Sequence, residues 1–242
     1  MENLNKVISS FDVQKTLQPQ IWVNNGKQIN PKVRKNLLEI AYQFIDSFGV
    51  DVVIEDIIVT GSIANYNWSE FSDVDLHILI DYKQFSNQLK DLYIEYFDLK
   101  KIIFNQKRDI KIFGFDVEVF VEDLDVEGVS GGVYSLLTDE WIKEPQKESL
   151  EINKGEIITS SKKWMRLIDN VVKNLEDEDI ETISKAVKQL KNKIKKFRVS
   201  GLKKSGELGL ENLVFKVLRR NGYIEKLYSI PTEFIDKKLS LK

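Results

Sequence analysis

The first half of the chain alternates between helical and strand-like spacing of its apolar residues. Asn30 and Pro31 are typical of a helix start, and the apolar positions after them keep a helical period until Gly49. A second helical pattern begins near Phe85. Short apolar runs and alternation predict four strands, at residues 52–59, 71–80, 109–113 and 115–121, the last two forming a hairpin about Gly114.

The second half of the chain has a different pattern. Glycines mark a loop near residue 130, and residues 135–141 are predicted to form one short helix. Only the helical period appears after residue 157, where three apolar stripes predict three helices, the last ending at Asn221 and Gly222. The sequence thus predicts an α/β (α+β) fold, with a small mixed β-sheet core and flanking helices (domain 1–127) followed by a C-terminal helical bundle (domain 128–242).

Composition narrows the function classes. A chain of 242 residues that is 42% hydrophobic can bury one or two cores. Cysteine is absent, which excludes disulfides, cysteine–zinc sites and thiol nucleophiles. No apolar run reaches the roughly 18 residues that a membrane span needs, and the first residues lack a signal-peptide core. We therefore expect a cytoplasmic protein without a membrane partner.

The net charge of −2 hides a difference between the two halves. Residues 1–130 hold 13 Lys and Arg against 21 Asp and Glu, whereas residues 131–242 hold 23 against 17. An acidic half that could hold a cation and a basic half would suit a ligand that carries phosphates between them, whereas random drift of surface charge would explain the difference without a ligand.

A Gly-Ser pair followed by two aspartates carries the clearest chemical signal. Gly61 and Ser62 end an apolar strand, and Ser72, Asp73 and Asp75 lie at the start of the next. Side chains two apart on a strand share a face, so the two aspartates should lie together, where their charges repel. Such oxygen ligands suit Mg²⁺ or Mn²⁺. The Gly-Ser turn and Ser72 would offer N–H groups and hydroxyls to the phosphates of a nucleotide.

This arrangement resembles the nucleotidyltransferase superfamily typified by DNA polymerase beta. Its signature is an apolar strand, Gly-Ser, a short helix, Asp-x-Asp or Asp-x-Glu, and a third carboxylate on a later strand. Residues 61–77 look closest to nucleotidyltransferase-like proteins of tailed bacteriophages, in which case the compartment is the host cytoplasm. The resemblance is strong over residues 55–81 and extends to residues 105–123. Asn65-Tyr66-Asn67 departs from the second Gly of many relatives, although Asn tolerates a left-handed backbone.

The resemblance implies a reaction as well as a fold. A hydroxyl acceptor (an RNA end, a protein or a small molecule) would attack the α-phosphate of a nucleoside triphosphate in line and release pyrophosphate. Three carboxylates could hold two metal ions for this step. The helical part would form the other wall of the cleft.

The third carboxylate should lie on the strand predicted at residues 115–121. Alternation puts Asp116, Glu118 and Glu122 on one face, so parity alone does not choose among them. Glu118 lies mid-strand between apolar neighbours, and its surroundings resemble the third-carboxylate strand of the phage-type relatives. We expect Asp73, Asp75 and Glu118 to be the metal-binding and catalytic residues, with Asp116 as the alternative to Glu118.

Two further features leave alternatives open. The stretch that begins at Lys185 and ends at Lys204 holds nine Lys or Arg and no acid, so it either contacts a triphosphate or RNA backbone or is a solvated helix face. His77, two residues after Asp75, is either a general base or a structural residue. A different function class also remains, namely a catalytically silent nucleotide- or RNA-binding module on the same fold.

Overall fold

A computed structural model describes residues 2–124, 131–147, 152–174 and 179–241. The chain forms two compact units: Asp12–Ser149, and Met1–Phe11 together with Leu150–Lys242. The sequence prediction instead divided the chain between residues 127 and 128. Within the described residues, no helix is long and apolar enough to cross a membrane.

The larger unit is built on a six-stranded mixed sheet. Its strands, in chain order, are β3 (Ile54–Thr60), β4 (Val74–Ile80), β5 (Lys111–Ile112), β6 (Phe115–Asp123), β7 (Val133–Ser135) and β8 (Glu140–Lys143). Their order across the sheet is β5-β6-β4-β3-β7-β8. Only β4 and β6 pair in parallel, while the other neighbours are antiparallel. A separate pair, β1 (Trp22–Val23) and β2 (Gln28–Ile29), is also antiparallel.

Two helices accompany this sheet, α2 (Pro31–Asp46) and α3 (Lys90–Lys107). Asn30 caps the first, because its side chain accepts a hydrogen bond from the Lys32 N–H at 3.0 Å. Phe44 of α2 and Phe97 of α3 are almost completely buried in the core, together with alternate residues of β4. The predicted mixed sheet with flanking helices is therefore confirmed.

The short helix predicted at residues 135–141 is wrong, because β7 and β8 form a hairpin there. Tyr134 is fully buried against Trp22, and Trp141 stacks on the same indole at a centroid distance of 4.4 Å. Asp139, with φ of +62°, forms part of the turn, and its carbonyl accepts a hydrogen bond from the Tyr134 hydroxyl. A run this short has no decisive period, so distant packing determines its structure.

The second unit is helical. Its described helices are α1 (Glu2–Ser9), α4 (Lys154–Asn174), α5 (Ile180–Ser205), α6 (Leu210–Arg220) and α7 (Tyr223–Leu239). The predicted C-terminal helical bundle is confirmed, and α7 is an additional helix that the apolar pattern did not reveal. Asp179 caps α5 by accepting hydrogen bonds from the Glu181 and Thr182 N–H groups at 2.8 and 3.0 Å.

A side chain of α3 binds the outer edge of β6 beyond β5. The Asn105 amide donates to the Val119 carbonyl and accepts from the Val119 N–H, both at 3.0 Å. Because β5 pairs only with the first residues of β6, Asn105 satisfies two backbone groups farther along that edge.

We predict that Asn105→Ala lowers the free energy of unfolding by about 1–3 kcal/mol, because it leaves two partly buried backbone groups without partners. Denaturant unfolding measures the effect. Gln106→Ala, at an exposed position of the same helix, is the matched control and should change stability little. Equal losses in both variants would contradict this role of Asn105.

Candidate metal centre

The structure brings together three of the carboxylates that the sequence predicted. One carboxylate oxygen each of Asp73, Asp75 and Glu118 lies within 4.8 Å of the others. Asp73 immediately precedes β4, Asp75 is the second residue of β4, and Glu118 is the fourth residue of β6. The two aspartates are half-buried and Glu118 is exposed.

Strand register explains why these residues meet. β4 and β6 pair in parallel with Asp75 opposite Glu118. Their neighbours Leu76 and Val119 are also opposite each other and are completely buried in the core. Since side chains alternate between the faces of a sheet, burial of the valine and leucine side chains turns the carboxylates to the other face.

Asp116 has its own partner outside the cluster. Asp116 is opposite Lys111 across the antiparallel β5–β6 pair and forms an ion pair with the Lys111 ammonium group. The contact raises the pKa of Lys111, mainly through hydrogen bonding to Asp116 and then to Asp109. The structure therefore groups Glu118, and not Asp116, with the two aspartates.

Glu122 has a different partner. One of its oxygens lies 3.1 Å from Nδ1 of His77, and contact with that ring is the main cause that lowers the pKa of the Glu122 carboxyl. The His77 imidazole is buried and stacks on Phe120 at a centroid distance of 4.6 Å. These contacts give the histidine a structural explanation, which sequence reasoning had left open beside a general-base role.

Gly61 lies directly against the acidic cluster. Its φ of +76° and ψ of −160° fall in a region that only glycine adopts readily. An added Cβ would also overlap Oδ2 of Asp75. Thr60, the preceding residue, is opposite Asp75 in the β3–β4 pair. The glycine thus allows the backbone of the Gly-Ser turn to approach the carboxylate.

Ser62 opens a single 3₁₀ turn, Ser62–Ala64, where the family resemblance predicted a short helix. Its hydroxyl donates to the Ser72 hydroxyl at 2.8 Å, and that same oxygen accepts from the Ser69 N–H at 3.0 Å. Ser72 is buried. We infer that the buried Ser72 supports the turn through these hydrogen bonds, whereas the half-buried Ser62 is the serine of the turn that remains accessible to a ligand.

Sequence reasoning missed the residues that support the other side of this turn. The Trp22 indole N–H donates to the Ile63 carbonyl at 2.8 Å. A Cβ on Gly132 would overlap the Ala64 carbonyl oxygen, and one on Gly131 would overlap the Asn65 amide. The successive glycines at 131 and 132 are the sequence signal for this close backbone approach, which the prediction of a loop alone does not include.

Asn65 itself does not use the left-handed backbone that its residue type allows. Its φ of −144° and ψ of 175° are extended, and its side-chain oxygen accepts from the Tyr66 N–H at 2.8 Å. The position at which many nucleotidyltransferases have a glycine is therefore occupied here by an extended residue, and the positive φ of this turn is at Gly61.

The donor set fits a hard divalent cation. Carboxylate oxygens from three different residues are the ligands that Mg²⁺ or Mn²⁺ prefers. Ligand oxygens of an octahedral Mg²⁺ ion lie about 3.0 Å apart when adjacent and about 4.2 Å apart when opposite, so oxygens already within 4.8 Å must approach one another by at most about 2 Å. Without a cation the three negative charges repel one another.

We predict that Gly61→Ala destabilises the protein more than Gly114→Ala. Both glycines have positive φ, +76° and +88°, so both variants incur backbone strain of about 1–3 kcal/mol. Only at Gly61 does the added methyl group overlap a side chain, because Gly114 has open space around it. Denaturant unfolding of the two variants measures the difference.

The added variant Asp75→Ala tests the cause of that difference. In the double variant Gly61→Ala/Asp75→Ala the overlapping carboxylate is gone, so part of the lost stability should return in a double-mutant cycle. Equal losses for Gly61→Ala and Gly114→Ala, or no coupling to Asp75, would contradict the close approach.

Comparisons of the chain with protein-family models, with curated proteins and with solved structures gave no match. The resemblance to nucleotidyltransferases therefore stays a prediction from the motif. The functional argument depends on the convergence of Asp73, Asp75 and Glu118 beside Gly61.

Proposed function

We propose that this chain is a metal-dependent nucleotidyltransferase that transfers a nucleoside monophosphate from a nucleoside triphosphate to a hydroxyl acceptor and releases pyrophosphate. One observation carries the proposal: the oxygens of Asp73, Asp75 and Glu118 converge within 4.8 Å, and Gly61 lies against Asp75. A carboxylate set that could hold a metal ion, next to a Gly-Ser turn that could bind phosphate, suits phosphoryl chemistry better than either feature would alone.

Each residue has a defined part in this proposal. Asp73, Asp75 and Glu118 would hold Mg²⁺ or Mn²⁺. The bound ion would polarise the phosphate oxygens and lower the pKa of the acceptor hydroxyl. Gly61 lets the turn approach without a side chain, and Ser62 would offer its backbone N–H and hydroxyl to phosphate oxygens. Ser72 fixes the position of Ser62 through their 2.8 Å hydrogen bond.

The acceptor in this proposal is an RNA end. The support is the basic stretch of α5, which runs from Lys185 to Lys204 without an acidic residue. Lys and Arg side chains on one helix can neutralise several phosphates of a strand, and each contact makes binding dependent on salt.

We predict that Asp75→Asn weakens Mn²⁺ binding at least tenfold, about 1.4 kcal/mol, because it removes one anionic ligand. Calorimetric titration of the purified protein measures this without any substrate. Asp116→Asn is the matched control, since that carboxylate pairs with Lys111 outside the cluster. Equal weakening by both substitutions, or no Mn²⁺ binding by the unaltered protein, would contradict the metal centre.

Label transfer tests the reaction itself. The protein is incubated with each α-labelled nucleoside triphosphate, Mg²⁺ or Mn²⁺, and separate RNA, protein and small-molecule fractions. We expect label in the RNA fraction, and a rate at least about a hundredfold lower for Asp73→Asn/Asp75→Asn, because metal coordination supplies several kcal/mol of the rate enhancement.

The outcomes of that assay separate the hypotheses. Asp116→Asn should retain the transfer rate. Label in the protein or small-molecule fraction would show that the acceptor belongs to that class and is not RNA. No label with any nucleotide, although Mn²⁺ binds, would favour the catalytically silent binding module.

A further inference from the structure

A cavity of about 330 Å³ lies among α5, α6 and α7 of the helical unit. Its apolar lining includes Ile194 and Leu227, which are almost fully buried. Phe215 and Tyr228 add two aromatic rings. A cavity of this volume matches ligand-binding pockets, and an aromatic, apolar lining suits a planar group.

Three cations border the same cavity. The Lys191 ammonium group lies 3.8 Å from the centroid of the Tyr228 ring, and the Arg198 guanidinium lies 4.3 Å from that of Phe215. Lys195 is the third. In the part of the chain that the structure describes, no carboxylate forms an ion pair with any of the three. The pocket therefore combines an apolar interior with three cations, of which Arg198 also interacts electrostatically with Glu207.

The position of Arg198 is held by hydrogen bonds within the helical unit. Arg198 donates through Nε to the Asn212 side-chain oxygen at 3.1 Å, and Asn212 in turn donates to the Glu207 carbonyl at 2.7 Å. Burial lowers the pKa of Arg198 and of Lys191. An anion at the rim of the cavity would offset that cost of burying charge.

The positive surface continues beyond the cavity. Lys195 and Val199 also line a second, more open depression of about 620 Å³, together with Lys196 and Lys203. A single small anion would occupy only one of these places. A strand with several phosphates would use both, with a base in the apolar cavity and the backbone along α5.

We infer that the helical unit binds single-stranded RNA, with one base inserted between α5, α6 and α7 and the adjoining phosphates at Lys195 and along α5 toward Lys203. This inference extends the proposed function: that the bound strand is the acceptor holds only if the chain is a nucleotidyltransferase. Binding itself requires neither the carboxylates nor a metal ion, because every group named here belongs to the helical unit.

The test is fluorescence anisotropy of a labelled single-stranded RNA with the full chain carrying Asp73→Asn/Asp75→Asn, in the absence of divalent cations. Failure of catalysis or of metal binding then does not affect the result. The competing probes are an abasic strand of the same length, free nucleoside monophosphates, and DNA of the same sequence.

Two variants separate base insertion from attraction of the backbone. Val199→Trp fills the cavity and leaves every charge in place, so it should weaken RNA binding about fivefold or more, the value of one stacked base. Lys195→Gln should reduce the slope of log affinity against log salt by about 0.7, the value of one phosphate contact on a single strand. Lys163→Gln, at an exposed position of α4, is the control and should bind as the parent does.

We expect the abasic strand to bind at least about fivefold more weakly than RNA and free nucleotides to bind more weakly still. Circular dichroism confirms that the variants are folded, and Leu202→Trp, at a second position that lines the cavity, replaces Val199→Trp if that variant unfolds.

Three results would overturn the inference: absence of RNA binding, equal binding of the abasic strand, or unchanged binding by a folded cavity-filling variant. Free nucleotides that bind as tightly as the strand would contradict the claim that a strand is recognised. A preference for DNA would contradict the claim that the strand is RNA.

Discussion

The parallel register of β4 and β6 is the constraint on which the candidate metal centre depends. Asp75 is opposite Glu118, and on the other face Leu76 is opposite Val119. A slip of one residue would bury Glu118 and expose Val119. The apolar core thus holds the carboxylates together although their charges repel, because the free energy of burying the other face exceeds that repulsion.

Further contacts hold the structure on both sides of the β4–β6 pair, at the edge of β6 and at the turn after β3. Asn105 of α3 satisfies the Val119 backbone next to Glu118. On the opposite side of β4, the Gly-Ser turn is held by Ser72, by the Trp22 indole and by the close approach of Gly132. The turn and the carboxylates are therefore positioned by the same core, which is what a site for phosphate and metal needs.

The part of the site that sequence could predict is local. Gly61, Ser62, Asp73 and Asp75 belong to one continuous segment, whose alternation indicates the shared face of the aspartates. Alternation could not choose among Asp116, Glu118 and Glu122, because that choice depends on which residue of a neighbouring strand each one faces. Non-local pairing also explains the error at residues 135–141, where Tyr134 and Trp141 pack on Trp22, more than a hundred positions earlier.

The two units also differ in how much of their electrostatics the sequence reveals. The basic stretch of α5 can be recognised directly in the sequence. The cavity beside it depends on α7, a helix that the apolar pattern did not predict. Conversely, the acidic cluster is visible in the motif, but a phosphate at Ser62 would face three carboxylates. A nucleotide at that turn consequently requires a cation to screen the repulsion, whereas an anion on α5 meets lysine and arginine side chains and needs no added cation. Dependence on divalent metal is therefore the property that physically distinguishes the two proposed sites.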